Sequence, residues 1–202
     1  MDSFSDFKLV KQLSYAIDDL GFDKPTPIQK EAFSVVLSGK DIVGVAQTGT
    51  GKTLAYMLPI LQDLKFSTQV APRVAIMVPT RELVLQVVEN IESFAKYISL
   101  RVVGVYGGTN INTQMQSVAQ GADIVVGTPG RFYDLSLSGA LKLKAIKKLV
   151  IDEVDVMMDL GFLPQLTNIF ELLPEKRQNI MFSATMTEEV DALIDDFFIV
   201  VA

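Results

Sequence analysis

Six short apolar runs alternate with segments of helical periodicity along most of the chain, and this alternation limits the fold more than any other feature. The runs are predicted strands and cover residues 41–46, 74–78, 102–106, 123–126, 148–151 and 179–182. The clearest helical segment runs from Leu83 to Ile98 with one apolar face, and the first 20 residues predict a further short helix. Strands that alternate with helices form βαβ units. The sequence therefore predicts an α/β fold, with one mostly parallel sheet and helices on both faces.

Length and composition narrow the possible functions. The chain has 202 residues, which suits one domain with a substantial core. It contains no Cys and no His, which excludes disulfides, Cys-ligated metal sites and histidine-dependent catalysis within this chain. A formal net charge of -6 argues against binding of nucleic acid through bulk positive charge. The longest apolar run, residues 197–202, is too short to span a membrane, and no signal peptide is evident, so we expect a soluble cytoplasmic protein without a membrane partner.

A phosphate-binding loop follows the first predicted strand, at the strand edge where ligands bind in parallel sheets. Residues 46–53 read Ala-Gln-Thr-Gly-Thr-Gly-Lys-Thr, a Walker pattern with Ala in place of its first Gly. Its glycines let backbone N–H groups face phosphate oxygens, its Lys contacts the β and γ phosphates, and its last Thr hydroxyl ligates Mg²⁺. The strand–loop–helix context disfavours the alternative, a Gly-rich turn before an ordinary helix. The candidate nucleotide-binding residues are Gln47, Thr48, Gly49, Thr50, Gly51, Lys52 and Thr53.

Carboxylates follow the fifth predicted strand in the sequence Asp152-Glu153-Val154-Asp155. Asp152 is the candidate to hold Mg²⁺ beside a triphosphate, directly or through water. Glu153 is the candidate general base, because hydrolysis needs an acceptor in line with the γ phosphate. With Lys52 these two are the predicted catalytic residues. The alternative is an acidic helix start that favours the helix dipole, and the phosphate loop in the same sheet makes it the weaker interpretation.

Three further strand ends point to a polyanion. Two of these segments place Thr at a predicted helix N-cap and Arg in the first turn of the helix. Together they would bring two helix N-termini and two positive charges to one edge of the sheet. A glycine pair there permits close approach of the backbone. Ordinary capping explains each segment alone, whereas their recurrence at one edge favours a polyanion track. The residues are Pro79, Thr80 and Arg81 after the second strand, Gly107 and Gly108 after the third, and Thr128, Pro129, Gly130 and Arg131 after the fourth.

Two hydroxyl residues, Ser183 and Thr185, follow the sixth predicted strand. They are placed to hydrogen-bond to Asp155 and so to connect the nucleotide side of the sheet with the polyanion side. The alternative is a helix cap for the next segment, whose apolar face includes Val190. The sequence leaves both interpretations open.

These motifs, in this order, resemble the DEAD-box family of ATP-dependent RNA helicases over essentially the whole chain. The resemblance implies that residues 1–202 are the N-terminal RecA-like P-loop domain, with residues 1–29 as a Q-motif extension and the C-terminal helicase domain absent. Residues 21–29 are similar to the Q motif, which implies that Gln29 recognises adenine and that Phe22 stacks on the ring. It also implies that the polyanion is RNA, and that Asp155, Ser183 and Thr185 couple the ATP state to strand separation. Residues 107–115 and 174–185 are most similar to bacterial members.

Two departures from the family pattern matter for activity. Val154 stands where the namesake tetrad has Ala; it adds bulk at a turn expected to be buried, and ATP chemistry is expected to survive with an altered rate. The family's second RecA-like domain, which supplies arginine fingers in cis, has no match in the chain. The isolated chain is therefore expected to be a monomer that binds ATP weakly and hydrolyses it poorly.

The implied function is an ATP-binding domain that uses ATP and Mg²⁺ and couples hydrolysis to local RNA duplex separation or remodelling of RNA–protein complexes. Its partners would be single-stranded or duplex RNA and the second RecA-like domain. One alternative is an ATP-gated RNA clamp or scaffold with little unwinding, since the motifs would be the same. Another is a different P-loop enzyme, such as a DNA helicase or a nucleotide kinase, against which the Q motif argues.

Overall fold

The computed structural model describes residues 3–199 and confirms the α/β class. In this range six parallel strands form one sheet in the order β1-β6-β5-β2-β4-β3. Each predicted strand is present, and each predicted end lies within one residue of the observed one. The strands are β1 Ile42–Val45, β2 Val74–Met77, β3 Val102–Val105, β4 Ile124–Gly127, β5 Lys148–Ile151 and β6 Gln178–Ser183.

Nine α-helices connect or flank these strands within the described part of the chain. They are α1 Lys11–Asp19, α2 Pro27–Leu37, α3 Lys52–Asp63, α4 Arg81–Phe94, α5 Ile111–Ala119, α6 Pro129–Leu137, α7 Val154–Asp159, α8 Leu163–Leu172 and α9 Glu188–Phe197. The predicted N-terminal helix is divided, because a 3₁₀ turn at Phe4–Phe7 ends at Lys8, which has φ 51°. Of the apolar run 197–202, residues 200–202 lie outside the described residues.

The core consists of two apolar layers, one on each face of the sheet. Side chains that alternate along the strands pack against α1 to α4 on one face and against α5 to α9 on the other. Strands β2, β4 and β6 are buried along their whole length because helices cover both faces. The apolar face predicted between Leu83 and Ile98 is core, since Val84, Val87 and Ile91 of α4 are almost fully buried.

The strand order divides the functional edge of the sheet into two halves. All strands are parallel, so their carboxyl ends meet at one edge. The phosphate loop, the acidic tetrad and residues 183–185 follow the neighbouring strands β1, β5 and β6. The segments predicted to hold a polyanion follow β2, β3 and β4, which are also neighbours.

At the opposite edge, Asp123 ties together the starts of three strands. Its carboxylate accepts hydrogen bonds from Arg73 Nη2 at 3.0 Å and from Arg101 Nε and Nη2 at 3.2 and 3.0 Å. The Arg101 backbone N–H donates to the same carboxylate at 2.8 Å. Burial by itself would raise the pKa of Asp123, but the hydrogen bonds from Arg101 and Arg73 lower it below its ordinary value.

Replacing Asp123 by Asn should lower the free energy of unfolding by about 3 kcal/mol at neutral pH, because two arginines lose a buried partner. The folded-state pKa lies below the unfolded value of about 3.9, so this contribution is present above that pH and is lost as the pH falls below about 4. Urea unfolding at several pH values measures both effects. The exposed Asp134→Asn serves as the control, and equal stability of the two variants would contradict the assignment.

Candidate functional site

The phosphate loop has the predicted strand–loop–helix context. Gly49 and Gly51 both have φ 82°, a left-handed conformation that side chains rarely adopt. A Cβ on Gly51 would also collide with the Gln29 side chain. Lys52 then begins α3 directly, so the backbone N–H groups of the first turn face the loop.

A buried polar cluster lies beneath this loop. Lys52 Nζ lies 3.5 Å from Asp152 Oδ1, with side chains only 6% and 8% exposed. These two atoms and the buried Tyr56 hydroxyl have no hydrogen-bond partner among the described residues. Buried polar atoms without partners are rare and unfavourable. The cluster therefore fits a ligand that brings phosphate oxygens for the ammonium and a cation for the carboxylate.

Burial governs the ionisation of this cluster. It raises the pKa of Asp152, and the neighbouring Lys52 charge acts in the opposite direction. Burial also raises the pKa of Tyr56 far above its ordinary value, with a further contribution from the Asp152 charge. The phenol is therefore neutral and available as a donor. Tyr56 is a site residue that the sequence analysis missed, because it sits in a helix that is apolar almost all round.

Glu153 occupies a strained position next to the cluster. Its φ of 57° and ψ of 47° are left-handed, which costs a non-glycine residue about 1–3 kcal/mol. It is the N-cap residue of α7, yet its side chain makes no capping hydrogen bond. Burial and the charge of Asp152 raise its pKa. Asp155 lies in the first turn of α7, so the tetrad does form an acidic helix start. Val154 is fully buried as expected.

Asp155 and Thr185 make the contact that the sequence left open. Thr185 Oγ1 donates to Asp155 Oδ2 at 2.9 Å, and the Thr185 backbone N–H donates to the same oxygen at 3.2 Å. Ser183 Oγ donates to the Thr185 carbonyl at 2.6 Å. The cap of α9 is instead Thr187, whose hydroxyl accepts the Val190 N–H. Burial acts to raise the pKa of Asp155, but the hydrogen bonds led by Thr185 lower it.

Gln29 is buried in the first turn of α2 rather than in a solvated loop. Its Oε1 accepts the Thr26 N–H at 2.9 Å, and its Nε2 donates to the Gly51 carbonyl at 3.2 Å. The amide thus joins the Q-motif segment to the phosphate loop. One lone pair and one N–H of the amide remain for a base edge. Phe22 is 42% exposed beside it, with its ring centroid 6.5 Å from that of Phe4.

A cleft of about 600 Å³ connects these groups. Its walls include Phe22 and Gln29 at one end, and Lys52, Asp152 and Glu153 at the other. Cavities of roughly 300–1,000 Å³ are typical of small-molecule sites. Most of the predicted nucleotide-binding residues therefore line one continuous cleft, whereas Gln47 and Thr50 do not lie on its walls.

The segments predicted to hold a polyanion form a second cluster. Thr80 caps α4 by accepting the Leu83 N–H at 3.3 Å, and the Arg81 guanidinium lies 5.0 Å from the Tyr106 ring centroid. Arg131 donates to Gln114 Oε1 at 3.0 Å and to the Thr109 carbonyl at 2.9 Å.

Around these arginines, Gly107 and Gly108 are exposed, whereas Pro79 and Pro129 are buried and support the backbone of their segments. Thr128 is the N-cap of α6, but its side chain makes no capping bond. Gln114 was missed by the sequence analysis, and the available signal was a polar residue on the apolar face of α5 between Ile111 and Val118.

Comparison with known proteins decides the family. The model of the DEAD/DEAH box helicase family matches residues 26–193. The chain belongs to the DEAD/DEAH box helicase family. This confirms the family assignment made from the motifs, including the RecA-like fold class.

Individual relatives of this DEAD/DEAH box chain come from fungi, bacteria and archaea. The chain is 43% identical over 200 residues to the pre-mRNA-processing ATP-dependent RNA helicase prp-5 of Neurospora crassa, covering 96% of the chain and 17% of that protein. It is 42% identical over 189 residues to the ATP-dependent RNA helicase DeaD of Escherichia coli, covering 93% of the chain and 30% of that protein. Fungal and bacterial relatives are thus about equally similar, and a bacterial source stays a prediction.

A solved structure matches the whole DEAD/DEAH box fold. The DEAD box protein of the hyperthermophile Methanococcus jannaschii superposes with a TM-score of 0.95 at 33% identity, covering 100% of this chain and 55% of that one. Within residues 3–199, no helix has the length and apolar character needed to cross a membrane.

Proposed function

We propose that this chain is the ATP-binding RecA-like domain of an RNA helicase, which couples ATP binding and hydrolysis to local duplex separation or remodelling of RNA–protein complexes. The observation that carries the proposal is the pair of buried atoms Lys52 Nζ and Asp152 Oδ1, which have no hydrogen-bond partner within residues 3–199. Both residues line the same cleft as the phosphate loop. Family membership supports the same conclusion.

The nucleotide-side residues have distinct roles in this proposal. Lys52 and the backbone N–H groups of residues 47–53 would hold the phosphates, and Thr53 and Asp152 would hold Mg²⁺, in part through water. A site with few carboxylates suits Mg²⁺, which usually keeps several waters and shares phosphate oxygens. When bound there, Mg²⁺ would supply positive charge beside the phosphates. Glu153 orients the attacking water and accepts its proton.

Adenine recognition is assigned to the Q-motif segment. Gln29 presents one acceptor and one donor to the base, and the exposed Phe22 ring stacks on it. Because the same amide holds the Gly51 carbonyl, base recognition and the shape of the phosphate loop are linked through one side chain.

Replacing Gln29 by Ala should lower ATP affinity about tenfold more than GTP affinity, because only adenine matches the donor and acceptor of the amide. Some loss for both nucleotides is expected, since the Gly51 carbonyl loses its partner. Competition of both nucleotides against a fluorescent ADP analogue measures the ratio. Ser34→Ala, exposed on the same helix, is the control, and an equal loss for ATP and GTP would refute the adenine assignment.

RNA is assigned to the other half of the sheet edge. Thr80, Arg81, Thr128, Gly130, Arg131 and the glycine pair would hold one strand by its phosphates and sugars, with Pro79 and Pro129 as supports. Helix N-termini and a few arginines bind phosphates without a basic domain. A coupling role is assigned to Asp155, Ser183 and Thr185. The Thr185–Asp155 hydrogen bonds tie the segment after β6 to the acidic tetrad after β5, next to β2 where the RNA half begins, which supports this role.

The chain spans only 17% to 30% of the curated relatives described above. We propose that residues 1–202 form one RecA-like domain, with residues 1–29 as its Q-motif extension, and that a second such domain completes the enzyme in cis. Arginine fingers are worth roughly 10³ or more in the rate of nucleotide hydrolysis. The isolated domain is therefore expected to be a weakly active monomer.

The decisive experiment is RNA-stimulated ATP hydrolysis by the chain joined to its second domain, with duplex separation followed in parallel. We expect single-stranded RNA to raise the hydrolysis rate and duplexes to separate only with hydrolysable ATP. No stimulation by any single-stranded RNA would refute the helicase assignment. ATP-dependent RNA binding without strand separation would favour the clamp.

A further inference from the structure

A buried amide lies directly behind the proposed RNA-binding half of the sheet edge. Gln114 of α5 is only 8% exposed. Its Oε1 accepts the Tyr106 N–H at 3.1 Å and Arg131 Nη1 at 3.0 Å. Its Nε2 donates to the Tyr106 carbonyl at 3.0 Å and to Thr109 Oγ1 at 2.8 Å. Both donors and both acceptor positions of the amide are therefore used.

These bonds reach both arginines of the proposed RNA site. Arg131 is held at one nitrogen by Gln114 and at the other by the Thr109 carbonyl. Tyr106 is fixed at its N–H and its carbonyl, and its ring carries the Arg81 guanidinium at 5.0 Å. The exposed residues 107–110, which include the glycine pair, follow β3 directly. They are held at Tyr106 by Gln114 and at Thr109 by Gln114 and Arg131.

A purely space-filling role does not account for this side chain. An apolar residue would fill the same volume on α5, as Val118 does one turn further along. Instead, an amide with four hydrogen bonds is present, and every partner belongs to Arg131 or to the loop that follows β3. A buried amide of this kind fixes geometry, because breaking any of these bonds would leave a buried polar group unpaired.

We propose that Gln114 is a positioning residue that presets Arg81, Arg131 and residues 107–110 for the phosphates of one RNA strand. The proposal rests on the RNA-binding function proposed above. Groups that are ordered before the ligand arrives lose less conformational entropy on binding, so presetting two flexible arginines raises affinity. Gln114 makes no contact with RNA in this arrangement and acts through the residues that it holds.

The test compares Gln114→Met, which keeps the length but removes the amide, with Gln116→Met, an exposed position on the same helix. Anisotropy of a labelled single-stranded oligouridylate measures RNA affinity as a function of salt. We expect Gln114→Met to bind about tenfold more weakly. Its plot of log affinity against log salt should become shallower by about 0.7 for each phosphate that the protein no longer neutralises. The affinity of Gln114→Met for MgADP should match that of the wild type. Gln116→Met should match the wild type in RNA affinity and in its dependence on salt.

A second measurement does not depend on RNA. In Gln114→Met, amide hydrogen exchange at Tyr106 and at residues 107–110 should become faster, because the Tyr106 N–H loses its acceptor.

A double variant tests whether Gln114 acts through Arg131. When Gln114→Met is combined with Arg131→Met, the loss of RNA-binding free energy should be smaller than the sum of the losses in the single variants. If Gln114→Met folds poorly, Gln114→Glu keeps the shape, pairs with Arg131 and should also weaken RNA binding.

The outcomes separate this inference from the function on which it rests. If Gln114→Met changes neither amide hydrogen exchange at residues 106–110 nor the dependence of RNA affinity on salt, the positioning role is overturned, even where the wild type binds RNA. A parallel fall in RNA affinity, MgADP affinity and melting temperature in both Gln114 variants would show a structural role only and would also overturn it. A wild-type chain that binds no RNA at low salt would overturn the proposed function, while the exchange measurement would still decide whether Gln114 sets the loop.

Discussion

Replacing Lys52 by Met is expected to lower MgATP affinity about 100-fold, the largest effect on binding that the structure predicts. Lys52 Nζ is buried 3.5 Å from Asp152 and has no hydrogen-bond partner in the described part of the chain. Its hydrogen bonds to phosphate oxygens would form in a site from which water is largely excluded, and charge-assisted bonds of this kind contribute about 1.5–3 kcal/mol each. Titration with a fluorescent ATP analogue measures the decrease in affinity.

The choice of Met separates binding from folding. Met preserves most of the buried volume, and the carboxyl of Asp152, whose pKa is already raised by burial, can take up a proton when the ammonium is removed. Unfolding midpoints near that of the wild type are therefore expected. Lys142→Met, at an exposed position, is the matched control. Affinity within a few-fold of the wild type in a folded Lys52→Met protein would contradict the phosphate-binding assignment.

Glu153→Gln is expected to lower the rate of ATP hydrolysis about 10³-fold while MgATP affinity stays close to the wild-type value. General base catalysis contributes roughly 10² to 10⁴ in rate, and Gln keeps the size of the side chain but cannot accept the proton. The Glu153 side chain makes no capping hydrogen bond to α7. The substitution should therefore leave the left-handed backbone at this residue unchanged. Single-turnover hydrolysis in the protein that carries both RecA-like domains measures the effect.

Two comparisons make this result specific. Glu188→Gln changes an exposed carboxylate in the first turn of α9 and should leave the rate unchanged. Glu153→Asp keeps a carboxylate on a shorter side chain and should retain part of the activity. A Glu153→Gln protein that hydrolyses ATP at the wild-type rate, or that loses hydrolysis only because it no longer binds MgATP, would exclude Glu153 as the base.

The strands and the loops proposed to carry the chemistry were accessible from the sequence because their causes are local. Apolar runs bounded by turn residues marked every strand of the described sheet to within one residue. Gly49 and Gly51 stand where the loop requires a left-handed backbone, and Thr80 caps a helix through its own neighbours. Such features depend on residues a few positions apart.

The sequence did not reveal contacts between segments that are distant along the chain. It left two interpretations for residues 183–185, and the structure separates them by placing Thr185 on Asp155 and giving the helix cap to Thr187. It did not single out Tyr56 or Gln114. The polar position of Gln114 on an apolar helix face was a signal, but such a signal becomes informative only when the partners of the polar group are known. Both residues are buried. Tyr56 packs against Phe182 of β6, and Gln114 is hydrogen-bonded to Tyr106 and Arg131.

By itself, then, the sequence determined the α/β class, the strand ends and the residue types that follow each strand, since periodicity and turn chemistry are read over short distances. Only the tertiary structure decided the strand order, which separates the proposed nucleotide half of the sheet edge from the proposed polyanion half. It also decided the two buried links, Gln29 to Gly51 and Gln114 to Arg131. The physical reason is that strand pairing and side-chain hydrogen bonds depend on packing between segments that are far apart in the chain.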